Sequence, residues 1–240
     1  PPRKRNSHIG IVLVHGGAWR SGSKAELYAI ANRLAQRNYA VFLPNYRLAP
    51  EAAYPAGLTD ISDAIVWIRA NAGSMKLRLD RLVLGGSSSG GQMAALLAFG
   101  ADHAYFKTHE TDDTRVDALI DLDGVLDFTT PLALKFENAA GSLSPAARWL
   151  GGAHEQIPER WREASAVTYL SRRSPPALII SSGQMRFTAG KDQVLSTLDK
   201  YGIQGRFVSL DPAPHTFWLF DPYLRRVVDE IDTFVRGIGR

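Results

Sequence analysis

The chain contains no cysteine, so neither a disulfide framework nor a thiolate-ligated metal site can be built from it. It also lacks any apolar run long enough to cross a bilayer, and it shows no signal-peptide pattern. No membrane partner is therefore expected. The chain opens abruptly at Pro1-Pro2, which leaves two expectations for its compartment. It is secreted or periplasmic if a leader was removed, and cytoplasmic otherwise. A basic face is missing too. Lysine and arginine total 28 against 24 acids, a net charge of +4, but they are scattered. The only clusters are Arg3-Lys4-Arg5 and pairs such as Arg172-Arg173 and Arg225-Arg226. Nucleic-acid binding needs a stripe or face of such residues, so no nucleic-acid partner is expected. Nor is there an internal repeat.

What is present is an alternation of short apolar runs and helical patterns. Ile9 to Val14, Ala40 to Leu43, Leu82 to Leu84, Ala118 to Leu122, Ala177 to Ser181 and Arg206 to Leu210 read as strands. The first is a β-branched run of the kind buried on both faces. Between them, Lys24 to Arg37, with Ser23 as N-cap, Leu58 to Ala70 and Gly91 to Phe99 have helical spacing, as does Tyr223 to Val235 at the end. Strands separated by helices predict a mostly parallel sheet with helices on both faces, an α/β fold of one domain over 1–240. At this length and 45% apolar content a single sizeable core is the expected outcome.

One segment resists that reading. GGSSSGG, residues 85–91, has the composition of a flexible linker. Yet it is flanked tightly by strand and helix, which makes it a strand-to-helix turn. Gly86 to Gly90 fit G-x-S-x-G, and Ser88 falls at the apex with its hydroxyl exposed above the sheet. A glycine-rich phosphate loop is the competing interpretation, but neither G-x-x-x-x-G-K-[ST] nor G-x-G-x-x-G is present. A serine hydroxyl needs a base. Of the histidines, His215 follows the last predicted strand in LDPAPHTFWLF, after the serine in chain order as G-x-S-x-G hydrolases require. His15-Gly16-Gly17-Ala18-Trp19 ends the first predicted strand. Glycines there let backbone N–H groups face a substrate oxygen, so Gly17, Ala18 and Ser89 are the candidate oxyanion donors. His15 is read as orienting that loop.

HGGAW at 15–19, YRLAPEAAYPAGLTD at 46–60 and GGSSSGG together resemble the α/β-hydrolase superfamily. More narrowly they are similar to its hormone-sensitive-lipase-like, feruloyl- and acetyl-esterase branch. SSGQMRFTAGKD at 181–192 and PHTFWLFDPYL at 214–224 look similar to acetylxylan or pectin acetylesterases. Two departures stand out. Ser87 and Ala18 occupy positions where the lipase-like group usually has an aspartate and a third glycine. Only eight residues precede Ile9, where the family has two or more strands, so the sheet is either shortened or lacks its N-terminal edge strands.

The resemblance implies a Ser-His-acid triad and no metal or organic cofactor. It places the acid a few residues after the Ala177 to Ser181 strand, where Ser182 to Met185 offer none. Asp192 is the nearest candidate. Its alternative role is that of a first-turn residue complementing a helix dipole, and Asp127, Asp211 and Asp221 remain alternatives for the acid. The resemblance also implies a lid insertion, here a short helical one at about 128–174, with SPAARWLGG and PERWREASAVTYL as two short helices. Such a low lid would admit a polymer, and Trp19, Trp161 and Trp218 are candidate sugar-stacking surfaces or else core. The implied substrate is an acetylated oligo- or polysaccharide, with a small ester or a feruloyl ester as the alternative. A ligand-binding protein on an inactive hydrolase scaffold is the non-enzymatic alternative.

Overall fold

The computed structural model describes residues 8–49 and 51–238. The Arg3-Lys4-Arg5 cluster and Pro50 of the 46–60 motif lie outside the described residues. Among the described residues six strands form one parallel sheet: β1 (Ile9–Val14), β2 (Ala40–Phe42), β3 (Arg81–Ser87), β4 (Ala118–Leu122), β5 (Ala177–Ser181) and β6 (Gly205–Ser209), in the order β2-β1-β3-β4-β5-β6. Eight α-helices among the described residues accompany it: α1 (Tyr28–Gln36), α2 (Ala56–Asn71), α3 (Ser89–Phe99), α4 (Pro131–Glu137), α5 (Pro145–Leu150), α6 (Pro158–Glu163), α7 (Lys191–Lys200) and α8 (Tyr223–Gly237).

The period-2 alternation of strand side chains divides the core in two. Val12, Val14, Leu82, Leu84, Leu119 and Ile179 face one side, where α2, α3, α7 and the 131–170 segment cover them. Ile11, Leu13, Val83, Ile120, Leu178 and Ile180 face the other, against α1 and α8. α8 shows the pattern of a helix with one buried face: Val227, Val228, Ile231, Phe234 and Val235 are buried, at helical spacing. α3 differs, being buried on every side. It is wedged between the sheet and the 131–170 segment, which is why an Ala/Leu-rich sequence without a polar face forms it.

Three boundaries depart from the sequence expectation. β3 continues through Gly85, Gly86 and Ser87, which pair with Leu13, Val14, Ile120, Asp121 and Leu122. The first three residues of GGSSSGG are therefore strand, α3 begins at Ser89, and the turn contracts to Ser88. Lys24 to Leu27 form a 3-10 turn with Ser23 and Glu26 in a capping box, and the α-helix begins only at Tyr28. The insertion holds the two expected short helices, α5 and α6, and also α4, whose start Thr130 caps with Pro131 next to it.

Strand order places the site. From β1 the chain goes to β2 on one side, then crosses back to β3 on the other, so the order reverses between β1 and β3. In open α/β sheets that reversal opens a crevice at the strands' carboxyl ends. There Val14 pairs with Gly86, and Ser87 with Leu122. HGGAW, Ser88 and the residue after Leu122 thus emerge side by side.

Candidate active site

Ser88 connects β3 to α3 with φ 55° and ψ −124°, a region that non-glycine residues rarely enter and that stores about 1–3 kcal/mol. Two bonds hold it there: its N–H donates to the Leu122 carbonyl at 2.8 Å, and its carbonyl accepts from the N–H of Gln92 at 3.0 Å. The turn closes so tightly because α3 lies against β1. A Cβ at Gly90 would stand 2.3 Å from the carbonyl oxygens of both Val14 and His15.

His215 lies on the loop after β6 and faces Ser88, with Nε2 2.9 Å from Oγ. Its Nδ1 is 2.9 Å from Oδ2 of Asp123. Asp123 is buried; its N–H donates to Ile180 and its Oδ1 accepts the N–H of Ser182 at 2.8 Å. With both carboxylate oxygens engaged, the imidazole is held in the tautomer that carries hydrogen on Nδ1 and leaves Nε2 to accept from Ser88. Phe187 stacks flat on the ring, centroids 4.0 Å apart and planes 7° apart, and the Trp218 edge meets it at 5.2 Å. The ring is confined on both sides.

The acid of this arrangement is Asp123, not Asp192. Asp192 sits in the first turn of α7 with its side chain 89% exposed, paired with the adjacent Lys191. Asp127 binds the N–H and hydroxyl of Thr129, and Asp221 pairs with Arg33. Asp211 is exposed and takes no part. Asp123 reaches His215 because β4 is the immediate neighbour of β3, so the residues following Ser87 and Leu122 leave the sheet together. The available signal was Asp123-Gly124 directly after the buried strand ALIDL, an acid at a strand's carboxyl end.

The loop after β1 carries three successive residues with positive φ: Gly17 at 121°, Ala18 at 52° and Trp19 at 60°. Gly17 turns back so that its carbonyl accepts from the N–H groups of Arg20 and Ser21. Ala18 and Ser89 line a cavity at Ser88 of about 30 Å³, and Trp19, Val125 and Phe187 form its apolar wall. Gly17 does not line that cavity. Behind the loop, His15 is buried and stacks on Tyr46 at 4.4 Å, while its Nδ1 lies 2.8 Å from the Gly16 carbonyl. Burial lowers its pKa, against the opposing pull of that carbonyl and of Glu26, so His15 is a neutral support for the loop.

None of the three tryptophans offers an open face to a sugar. Trp161 is fully buried and donates to the Gly152 carbonyl at 3.1 Å. It fills the core under the insertion because its bulk packs edge-on against Phe128. Trp218 is buried against His215. Trp19 is buried, stacks on Trp149 at 5.0 Å and donates to Oε1 of Gln92, so it serves as part of the cavity wall.

One more acid lies beneath the site. Asp121 is fully buried; Oδ1 accepts the Gly124 N–H at 2.9 Å and Oδ2 has no partner among the described residues. Burial, and then the nearby Asp123, push its pKa up to about 8, against the Gly124 bond. It is a neutral carboxylic acid at neutral pH.

A parallel sheet with a serine on a strained strand-helix turn, an imidazole and a buried carboxylate defines an α/β-hydrolase. The chain belongs to the BD-FAE family within that class, whose family model matches residues 1–187. It is similar to the esterase LipC of Mycobacterium tuberculosis, 29% identical over 221 residues, which cover 88% of this chain and 53% of LipC. The chain thus spans about half the length of that relative. In fold it resembles a truncated carbohydrate esterase from gut microbiota (TM-score 0.81, 20% identity, covering 97% of this chain and 88% of that one). It also resembles an acetyl ester-xyloside bifunctional hydrolase from Caldicellulosiruptor lactoaceticus (TM-score 0.74, 19% identity, covering 96% and 83%).

Proposed function

We propose that this chain is a serine esterase that removes acetyl groups from carbohydrate through an acyl-enzyme. The observation that carries the reading is the unbroken line Asp123–His215–Ser88, with both contacts at 2.9 Å. Ser88 Oγ attacks the ester carbonyl as His215 Nε2 takes its proton. The developing oxyanion is met by backbone N–H groups at Ala18 and Ser89, which line the cavity at Ser88 where Gly17 does not. Each such donor is worth about a hundred- to a thousandfold in rate. His215 then returns the proton to the departing alcohol, and a water molecule repeats the sequence on the acyl-enzyme.

The acetyl preference rests on cavity size. The cavity beside Ser88 is small, with apolar walls at Ala18, Trp19, Val125 and Phe187, which suits a short acyl chain. The carbohydrate half of the reading leans on the printed descriptions of the structural neighbours, a carbohydrate esterase and an acetyl ester-xyloside hydrolase. A general short-chain carboxylesterase is the second reading, favoured by the likeness to LipC. A binding protein on an inactive scaffold is disfavoured by the complete Asp123–His215–Ser88 line.

Acetate release across acetylated glycans and simple aryl acetates, with Ser88→Ala as control, tests the reading. We expect release from both, faster from glycans, and loss of release and of phosphonate labelling in Ser88→Ala. Release that persists in Ser88→Ala would remove the nucleophile, and aryl acetates alone being cleaved would leave the general esterase.

A further inference from the structure

Glu137, at the end of α4 in the insertion, and Arg186, in the turn after β5, both line the Ser88 cavity. Arg186 Nε donates to Oε1 of Glu137 at 2.6 Å and Nη2 to Oε2 at 3.0 Å. The Glu137 side chain is 1% exposed and that of Arg186 40%. The guanidinium lies over the Phe187 ring, 5.1 Å from its centroid, and Phe187 in turn stacks on His215. The pair is therefore fixed from two directions, and apart from the triad's Asp123 it supplies the charge in a wall whose apolar part is Ala18, Trp19, Val125 and Phe187.

We infer that the Glu137–Arg186 pair is the acyl-length filter of this site, admitting acetyl and rejecting longer alkyl chains. The inference rests on the esterase reading above and deepens it. A sugar alcohol cannot enter a cavity of about 30 Å³, so the alcohol leaves through the open side and the cavity receives the acyl group. An acetyl methyl is accommodated by the apolar wall. A butyryl or hexanoyl chain has to run onto the ion pair. There it either covers charged groups without replacing their hydrogen bonds to water, or displaces Arg186 and strands a buried carboxylate. Both outcomes penalise chain length, beyond what volume alone imposes.

The test is the ratio of kcat/KM on p-nitrophenyl butyrate to that on p-nitrophenyl acetate, since a ratio is independent of the fraction of active protein. In Glu137→Leu/Arg186→Leu, where apolar groups of similar size replace both charges, the ratio should rise about tenfold over wild type, the burial of two methylenes. Glu137→Gln/Arg186→Met, which removes both charges with side chains of similar length, should move it the same way. A ratio unchanged in both variants overturns the filter while leaving the esterase reading intact. A fall in both constants together also overturns it, and would make the pair a positioning element. If wild type hydrolyses neither ester in a Ser88-dependent manner, the esterase reading fails, and the filter with it.

Discussion

Replacing Asp123 by Asn alters two atoms' chemistry and almost no volume, so its effect isolates the orientation of His215. The Ser182 N–H fixes the identity of each position. It donates to Oδ1 at 2.8 Å, so the amide oxygen stays there and the NH2 group is driven to the Oδ2 position, 2.9 Å from His215 Nδ1. An NH2 group can only donate, so Nδ1 must become the acceptor and the hydrogen moves to Nε2. Nε2 then points a hydrogen at Ser88 Oγ and cannot take its proton. Inverting the tautomer in this way lowers kcat by about ten-thousandfold, or about 5.5 kcal/mol of transition-state stabilisation. Steady-state hydrolysis of an acetate ester measures it, with Asp192→Asn as the comparison. That side chain is 89% exposed and bound to Lys191, so its variant should stay within about twofold of wild type, as surface substitutions do. An Asp123→Asn enzyme that keeps more than about a tenth of its turnover, or an Asp192→Asn enzyme that loses a hundredfold, would refute the assignment.

Asp121 gives a pH-dependent outcome. The unfolded chain releases this proton near pH 4 while the folded chain keeps it until about pH 8. Between those values the folded state binds more protons, so its stability falls as pH rises. Asp121→Asn removes that slope and should gain several kcal/mol relative to wild type on going from pH 5 to pH 8, read by urea unfolding at the two pH values; parallel curves would sink the argument. Gly90→Ala places a methyl 2.3 Å from two carbonyl oxygens and should lower stability by about 3 kcal/mol or more, seen as a reduced melting temperature. Trp161→Ala should cost about 3–5 kcal/mol in denaturant unfolding while leaving KM for oligosaccharide acetates within about twofold. A large KM effect in folded protein would return Trp161 to the binding surface.

The strands were legible because burial on both faces imposes continuous apolar runs: IGIVLV, ALIDL and ALIIS each correspond to an observed strand. Ser88 and His215 were legible as well, one from the glycines that a tight turn demands and the other from its place after the last strand. The structure brings these two together. The acid was not. A family rule directed attention to the loop after β5, whereas the pairing register, Ser87 opposite Leu122, decides which loop delivers a carboxylate. The acid directly after ALIDL was a local hint, but which strand lies next to β3 is a long-range property that the hint alone does not supply. The tryptophans were ambiguous for a related reason. An aromatic ring suits a sugar face or a core equally well, and only the packing of α3 against the insertion shows that Trp161 is enclosed.

That enclosure has a kinetic consequence. The insertion is sewn to the rest of the fold by Gln92 Nε2 to the Ala164 carbonyl, Tyr54 N–H to the Trp149 carbonyl and Val167 N–H to the Leu126 carbonyl. If these bonds hold the segment down, turnover should begin without a lag when substrate is presented on a micelle or an insoluble fibre. Access then depends on what can reach the mouth and not on how often a cover lifts; a lag would show that the segment moves.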